Sequence, residues 1–232
     1  MAQLTQSVLG RVSGKLGDIT FRQRNGKNII GVNPRSYPPP EDQGSVDRRA
    51  RFAFSAKLAQ AIGSVPELNA LWLPVTPQGM STFNFIIQKN ILLGNPGSVS
   101  DLTMITPPPG FTISCTSSSV AADAITAALG AIGTLSGIVL SDEPTVKLAY
   151  LLSLTNPASV TLPEYRFIGG TSDAAATVLD SAMQFTIPLV GLDSVLVESY
   201  QEKKLLIALV TFDEAGNPVK HSGTLVLNGA GA

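Results

Sequence analysis

Short segments of alternating apolar and polar residues dominate the C-terminal part of the chain and restrict what it can fold into. Val146, Leu148, Tyr150, Leu152 and Leu154 occupy every second position, so their side chains share one face of an extended strand. Similar segments predict strands at 166–168, 177–179, 184–187, 195–198, 205–212 and 223–227. Alanine favours helix at 120–131, but the flanking Ser, Thr and Gly favour strand, which we predict there. Closely spaced strands of this kind indicate an antiparallel β-sandwich, either Ig-like or jelly-roll-like.

The N-terminal part carries the strongest local signal for a hairpin. Segments 19–24 and 27–32 flank Asn25-Gly26, a dipeptide that favours a two-residue turn and thereby sets the strand register. This register places Arg24 opposite Lys27 and Arg22 opposite Ile29. The apolar face would carry Ile19, Phe21, Ile30 and Val32, and the opposite face would carry Thr20, Arg22, Arg24, Lys27 and Ile29. Because like charges opposite each other destabilise a hairpin, we expect an anion or a carboxylate from elsewhere to neutralise them.

Between the hairpin and the β-rich part, the sequence predicts a stiff spacer and a small helical segment. Pro38-Pro39-Pro40 should be extended. A first helix is expected from Ser45, as N-cap, to Gly63. The spacing of Ser64 and Glu67 indicates a capping box for a second helix through Trp72, and Ser81 can cap a third. The predicted fold class is therefore mainly β with a small helical segment. Its parts are a basic N-terminal arm at 1–44, a helical segment at 45–98, and a β-rich domain at 99–232 that is either one domain or two small modules.

Charge is sparse and unevenly distributed. Charged residues make up 14% of the chain, below the usual quarter. Residues 1–57 contain ten Lys and Arg against four Asp and Glu, a net +6, whereas the rest contains six against thirteen, a net −7. This asymmetry predicts a basic arm that meets an anionic partner, either nucleic acid or the acidic body of a neighbouring copy. The candidate contact residues are Arg22, Arg24, Lys27, Arg48, Arg49 and Arg51.

The arginines at 48, 49 and 51 have a simpler interpretation as well. They can form a solvated helix face paired with the acidic residues Glu41, Asp42 and Asp47. For this cluster alone, we favour the solvated face. Considered together with the basic residues of the hairpin, the two interpretations are about equally supported.

No motif commits the chain to a catalytic chemistry. Three residues separate Gly10 from Gly14 and Leu16 follows Lys15, whereas a phosphate-binding loop needs four and then Ser or Thr. With one Cys and one His, the chain can form neither an intrachain disulfide nor a Cys/His zinc site by itself. Cys115 is expected as a small buried side chain and His221 as a structural one. We predict no enzyme, no catalytic residue, no metal, no cofactor and no small-molecule substrate.

A hydrolase remains a remote alternative. The carboxylates occur mainly in predicted turns, where solvated side chains are the default. A hydrolytic site would require a pocket that gathers two or more members of one set: Asp142, Glu143, Asp193, Glu198 and His221.

The sequence also carries expectations about location. The N-terminus lacks a basic region followed by a long apolar region, and no segment is apolar over the length of a bilayer. We therefore expect a protein without a membrane partner, made in the cytoplasm of the producing cell and then found in a virion or another assembled particle.

Three groups of residues within the first ninety form a recognisable pattern. They are Gly14-Lys15-Leu16-Gly17-Asp18-Ile19-Thr20-Phe21-Arg22-Gln23-Arg24-Asn25-Gly26-Lys27, then Arg48-Arg49-Ala50-Arg51-Phe52-Ala53, and then Trp72 with Phe83-Asn84. In this pattern the chain resembles an uncharacterised family found in Bacteroidota and their phages. The resemblance implies no known reaction, and it suggests a role in a virion or its assembly. We therefore expect a structural, self-assembling subunit whose arm links neighbouring copies and other assembly proteins. The alternative is a nucleic-acid-binding or packaged virion protein that uses the basic hairpin.

Overall fold

The computed structural model describes residues 2–4, 13–24, 26–32, 40–95 and 97–229. The protein is mainly β, with antiparallel sheets and a small helical part, which confirms the predicted fold class. The chain forms two compact units, Met1–Asp42 and Gln43–Ala232.

The first unit is a four-stranded antiparallel sheet with the order β1-β4-β3-β2. Its strands are β1 (Ala2–Leu4), β2 (Gly14–Leu16), β3 (Ile19–Arg24) and β4 (Lys27–Val32). The predicted hairpin register is confirmed, with Arg24 opposite Lys27 and Phe21 opposite Ile30. Gly26 has a φ of 73°, which glycine adopts at little steric cost. The predicted proline spacer lies outside the described residues except for Pro40.

Two long strands form the centre of the second unit. Strand β7 (Thr145–Pro157) and strand β11 (Tyr200–Phe212) pair antiparallel along their length. They belong to a six-stranded sheet with the order β12-β11-β7-β8, in which β13 also pairs with β11 and β9 with β7. The outer strands are β8 (Tyr165–Thr171), β9 (Ala175–Ala176), β12 (Pro218–His221) and β13 (Leu225–Asn228).

One face of this large sheet packs on a second, three-stranded sheet. The small sheet has the order β10-β6-β5 and consists of β5 (Cys115–Val120), β6 (Ala124–Leu129) and β10 (Met183–Pro188). Leu148 and Leu152 share a buried hydrophobic cluster with Ile125 and Phe185 from the small sheet. The alternation at 146–154 therefore marks the face that meets the small sheet. The strand predicted within 120–131 is confirmed by β6.

Helices cover the other face of the large sheet. They are α1 (Gln43–Ser64), α2 (Pro66–Trp72) and α3 (Thr82–Asn90). Phe54 and Trp72 are buried in one cluster with Leu151 and Leu206 of the central strands. Because β7 and β11 are covered on both faces, nearly every residue along their middle is apolar. The helical segment thus shares its hydrophobic cluster with the sheet.

The helix boundaries differ in detail from the predictions. Helix α1 begins at Gln43, so Ser45 lies within the first turn and the predicted N-cap is wrong. The predicted capping box is also wrong, because Val65 is the N-cap of α2 and makes no side-chain capping bond. Ser81 is confirmed as the N-cap of α3, since its side chain accepts a hydrogen bond from the backbone N–H of Asn84.

Two short strands were predicted wrongly. Residues 195–198 lie in helix α4 (Leu192–Ser199) and not in a strand. Only Val197 is buried in this helix, and a run of four residues is too short to distinguish helical from strand periodicity. The segment 177–179 follows the two-residue strand β9 and is not itself a strand.

Candidate functional site

The basic residues that lie in the described strands of the first unit occupy positions on one face of its sheet. Residues directly opposite each other in antiparallel strands lie on the same face. The register places Lys15 opposite Thr20, and Arg24 opposite Lys27. We call the face that carries Lys15, Arg22, Arg24 and Lys27 the basic face.

Lys15 was missed by the sequence analysis. It enters the basic face because Leu16 and Ile19 pair across the turn at Gly17-Asp18. Gly17 has a φ of 57°, a left-handed conformation that glycine accommodates readily. The Gly-Asp dipeptide between two apolar residues was therefore the signal that could have predicted this second hairpin.

The opposite face of this sheet is mainly apolar and largely open, and its polar members Gln23 and Asn28 form a hydrogen bond with each other. It carries Leu16, Ile19, Phe21, Ile30 and Val32 by register, and we call it the apolar face. Leu16, Ile19 and Val32 are 71%, 41% and 78% exposed. Phe21 and Ile30 are half-buried, and among the described side chains of this unit only Asn28 is buried. Large apolar groups are thus left in contact with water.

The three arginines of α1 belong to the second unit. Arg48 donates a hydrogen bond from Nη2 to Ser45 Oγ, 2.6 Å away. Arg49 is exposed. Arg51 is half-buried, and its Nε has no hydrogen-bond partner among the described residues. The six predicted contact residues are therefore divided between the units, with Arg22, Arg24 and Lys27 in the first and Arg48, Arg49 and Arg51 in the second.

Glu143 is a buried carboxylate of the second unit that has three hydrogen-bond donors. It is 1% exposed. It accepts hydrogen bonds from Lys220 Nζ at 2.9 Å, from the backbone N–H of Val139 at 3.2 Å, and from the hydroxyl of Thr211. Burial alone would raise the pKa of Glu143, but the bonds from Thr211, Lys220 and Val139 and the charge of Lys220 together lower it. The default of a solvated turn carboxylate is wrong at this position.

The hydrogen bonds of Glu143 connect separate segments of the fold, and its lowered pKa does not suit a general acid. Its side chain joins the loop at 137–143 to strands β11 and β12, since Lys220 also donates to the carbonyl of Gly137. A lowered pKa keeps the carboxylate ionised near neutral pH, whereas a general acid needs a raised one. A second ion pair connects α2 to β7, with Lys147 Nζ 3.0 Å from Glu67 Oε1.

The remaining candidates for catalysis are not brought together. His221 lines a cleft of about 400 Å³ with Phe111 and Lys220, and this cleft contains none of Asp142, Glu143, Asp193 and Glu198. Cys115 Sγ donates to the carbonyl of Ser117, and burial raises the pKa of its thiol. A raised pKa disfavours the thiolate that a nucleophile requires.

The second unit also has a larger cleft, between α1 and β8. It measures about 570 Å³ and is lined by Lys57, Gln60 and Ser64 on the helix and by Tyr165 and Arg166 on the strand. Burial and the charge of Glu164 raise the pKa of Tyr165. No residue lining this cleft is a His or Cys, so it presents neither a nucleophilic thiol nor an imidazole base.

Two properties of the described residues bear on the type of site. Among the residues described by the structure, no three His, Cys, Asp or Glu side chains lie close enough together to hold a metal ion. Within the same residues, no helix has the length and apolar character needed to cross a bilayer.

No model of a known protein family matches the chain, and no curated protein matches it. What the chain does has therefore to be inferred from its own contacts, exposure and charge.

Proposed function

We propose that this chain is a structural, self-assembling subunit of a phage virion or a comparable protein assembly, and that its first unit links neighbouring subunits. The observation that carries the proposal is the exposure of Leu16, Ile19 and Val32 on the apolar face of the first unit. Apolar side chains gathered on one face of a sheet are stabilised when another surface removes them from water. In an assembly of identical chains, a neighbouring copy supplies that surface.

The small size of the first unit supports the same proposal. It spans Met1–Asp42, and units of about 40 residues usually need disulfides, metals or association to be stable. The single cysteine of the chain, Cys115, lies elsewhere. Asn28 is the only buried side chain described in this unit, so the sheet has no buried apolar core of its own among those residues. Association is then the remaining source of stability.

The charge distribution favours contact between one copy's first unit and another copy's second unit. Residues 1–42 contain six Lys and Arg against three Asp and Glu, a net +3, and residues 43–232 contain ten against fourteen, a net −4. Opposite net charges speed association and set its orientation. The exposed acids of the second unit are Asp101, Asp123, Asp142, Glu164, Asp173, Asp180, Glu198, Glu202 and Glu214.

The edges of the N-terminal sheet offer a physical route to this link. Strands β1 and β2 are the outer strands of that sheet, and an outer strand can add to the sheet of a partner through backbone hydrogen bonds. The resemblance of the first ninety residues to a phage-associated family is consistent with a virion as the setting.

Substitutions on the apolar face test the link. We expect the full chain to form oligomers whose size rises with concentration, measured by sedimentation velocity. The double substitution Leu16→Ser and Val32→Ser should weaken association by at least tenfold, because burying each side chain contributes about 1.5–3 kcal/mol. Leu92→Ser with Leu135→Ser, two exposed leucines of the second unit, is the matched control and should leave association unchanged.

Removing residues 1–42 provides a second test. Both hydrophobic clusters lie within the remaining residues, so the shortened chain should unfold cooperatively but no longer form the arm-linked oligomers. A full chain that stays monomeric at high concentration would contradict the proposal. So would a shortened chain that assembles as well as the full one.

Nucleic-acid binding is the second candidate function, and the basic face favours it. Lys15, Arg22, Arg24 and Lys27 lie on one face of a sheet, a suitable arrangement for phosphate contacts. Filter binding to DNA at increasing salt would show a steep loss of affinity. Arg22→Gln with Lys27→Gln would make the plot of log affinity against log salt concentration less steep. Arg166→Gln, an exposed arginine of the second unit, is the control. Absence of binding at low salt would exclude this function.

A further inference from the structure

The small sheet differs from the other two sheets because none of its three strands contains a charged residue. This holds for Cys115–Val120, Ala124–Leu129 and Met183–Pro188. Strand β10 alternates regularly, with Met183, Phe185 and Ile187 buried, and Gln184 and Thr186 exposed. Its outward neighbours on β6 and β5 are small or polar, with Thr186 opposite Thr126 and Thr126 opposite Ser119.

Strand β10 lies at an edge of this sheet. It pairs with β6 in a regular register over all six of its residues. In the described parts of the chain, no residue outside β6 forms a hydrogen bond with the backbone of β10. Since successive residues of a strand direct their N–H and C=O groups to opposite sides, about half of the backbone groups of β10 face away from β6.

Three other strands of the second unit, β12, β5 and β8, carry features that hinder pairing with another chain. Phe111 runs beside β12, donating its N–H to the carbonyl of His221 at 3.1 Å and accepting from Gly223 at 2.9 Å. The register of β5 is interrupted between Cys115 and Ser117, and β8 carries the exposed charge of Arg166. Coverage, bulges and charges are the usual means by which proteins prevent edge-to-edge association.

Strand β10 has none of these features along 183–187. It has no charge and no register shift, and Pro188 occurs only at its last position. A proline there lacks the N–H needed for pairing and therefore ends the usable edge. An uncharged, regular edge of this type is suited to accept another strand.

We propose that β10 pairs antiparallel with β10 of a second copy and so joins two small sheets into one six-stranded sheet. Pairing about a two-fold axis sets a strand against itself, which requires that no like charges oppose each other. The neutral strand meets this requirement. Its alternation also fits, because Met183, Phe185 and Ile187 of both copies meet on the core side and Gln184 and Thr186 meet on the outer side. The inference rests on the proposed self-assembly only in that the partner is another copy.

A charge placed on this edge of the full chain tests the proposal. Thr186→Lys brings two lysines together across the two-fold axis, so complexes should contain half as many subunits as wild type in mass photometry. Ser117→Lys is the matched control, because it adds the same charge to an exposed position on the opposite edge of the same sheet. Thermal unfolding of both variants verifies that each is folded. Complexes of equal size for wild type and Thr186→Lys would overturn the proposal. So would an equal decrease in complex size for Thr186→Lys and Ser117→Lys.

Hydrogen exchange on the unaltered chain supplies a readout that needs no variant. When the protein is concentrated, the amides of 183–187 that face away from β6 should gain at least tenfold protection from exchange, because they then form hydrogen bonds with the second copy. Association without a change in exchange at these amides would overturn the proposal.

Combining variants separates this interface from the link made by the first unit. If Leu16→Ser with Val32→Ser leaves pairs that Thr186→Lys dissociates, β10 pairing is supported whatever the role of the first unit. If those pairs persist with Thr186→Lys, β10 pairing is excluded while the proposed function can still hold.

Discussion

Glu143 and Glu67 form ion pairs of almost equal length in different surroundings. The Lys220–Glu143 pair is 2.9 Å long and its carboxylate side chain is 1% exposed, while the Lys147–Glu67 pair is 3.0 Å long and its carboxylate side chain is 18% exposed. Water can partly replace a lost partner at Glu67 but not at Glu143. The two pairs therefore allow burial to be compared at nearly constant geometry.

Replacing each lysine by methionine should separate the two pairs. Lys220→Met leaves the buried carboxylate of Glu143 without one of its donors, and we expect a loss of about 2–3 kcal/mol in the free energy of unfolding. Lys147→Met should cost about 1 kcal/mol or less, because the pair is more exposed. Urea denaturation measures both. Equal losses in the two variants would show that burial of the carboxylate does not govern the effect.

The lowered pKa of Glu143 predicts how stability depends on pH. The folded protein binds fewer protons at this group than the unfolded chain, so the stabilisation is present above the ordinary value of 4.5 and is lost as pH falls through the lower folded pKa. The stability difference between wild type and Glu143→Gln should therefore be largest above about pH 5 and shrink in acid. Denaturation curves across this range measure it, and a difference independent of pH would contradict the assignment.

The role of Glu143 could not be derived from the sequence because its partners are remote. Thr211 and Lys220 lie 68 and 77 residues further along the chain. No local pattern distinguishes Glu143 from Asp142, which is exposed. Similarly, nothing in the order of residues shows that Arg51 is half-buried while Arg49 is exposed.

Among the secondary-structure elements, β12 depends on the segment that runs beside it. The segment approaches so closely that a Cβ at Gly110 would lie 2.4 Å from the backbone N of Gly223. Ile105 and Thr106 donate backbone N–H bonds to Thr224 Oγ1 at 2.8 and 3.2 Å. Glycine at 110 is therefore required by proximity to the neighbouring backbone.

Alanine substitutions at the two facing glycines test this close approach. Gly110→Ala should lower the free energy of unfolding by about 1–3 kcal/mol, since the backbone must move to admit the methyl group. Gly223→Ala should be neutral or slightly stabilising, because a Cβ there meets nothing within 4 Å. Thermal unfolding compares them, and the prediction fails if the two variants have the same midpoint.

Elements were predictable from the sequence where their determinants are local. The register of β3 and β4 follows from Asn25-Gly26, and the start of α3 follows from Ser81. The prediction failed at α4, where the single buried residue Val197 gives no periodicity. The prediction that Ser64 caps α2 also failed, because the Ser64 hydroxyl donates its hydrogen bond to the carbonyl of Ala61.

For the whole molecule, two kinds of contact between copies should respond differently to salt. The proposed link through the first unit brings together regions of net charge +3 and −4. The proposed β10 pair contains no charge. Raising the ionic strength from about 0.1 to 1 M shortens the Debye length from about 10 to 3 Å. This screens the charge attraction in the first contact, leaves the apolar contribution of that contact in place, and does not affect the second contact.

We therefore expect assemblies of the full chain to shift at high salt towards two-fold pairs and not towards monomers, because only the first contact loses charge attraction. Sedimentation velocity at about 0.1 and 1 M NaCl would measure the change. Hydrogen exchange at about 1 M NaCl is the control, because the amides of 183–187 that face away from β6 should stay protected if β10 forms the remaining contact. Circular dichroism at both salt concentrations verifies that the fold is unchanged. Assemblies of the same size at both concentrations would show that opposite net charge does not hold the first unit to its neighbour.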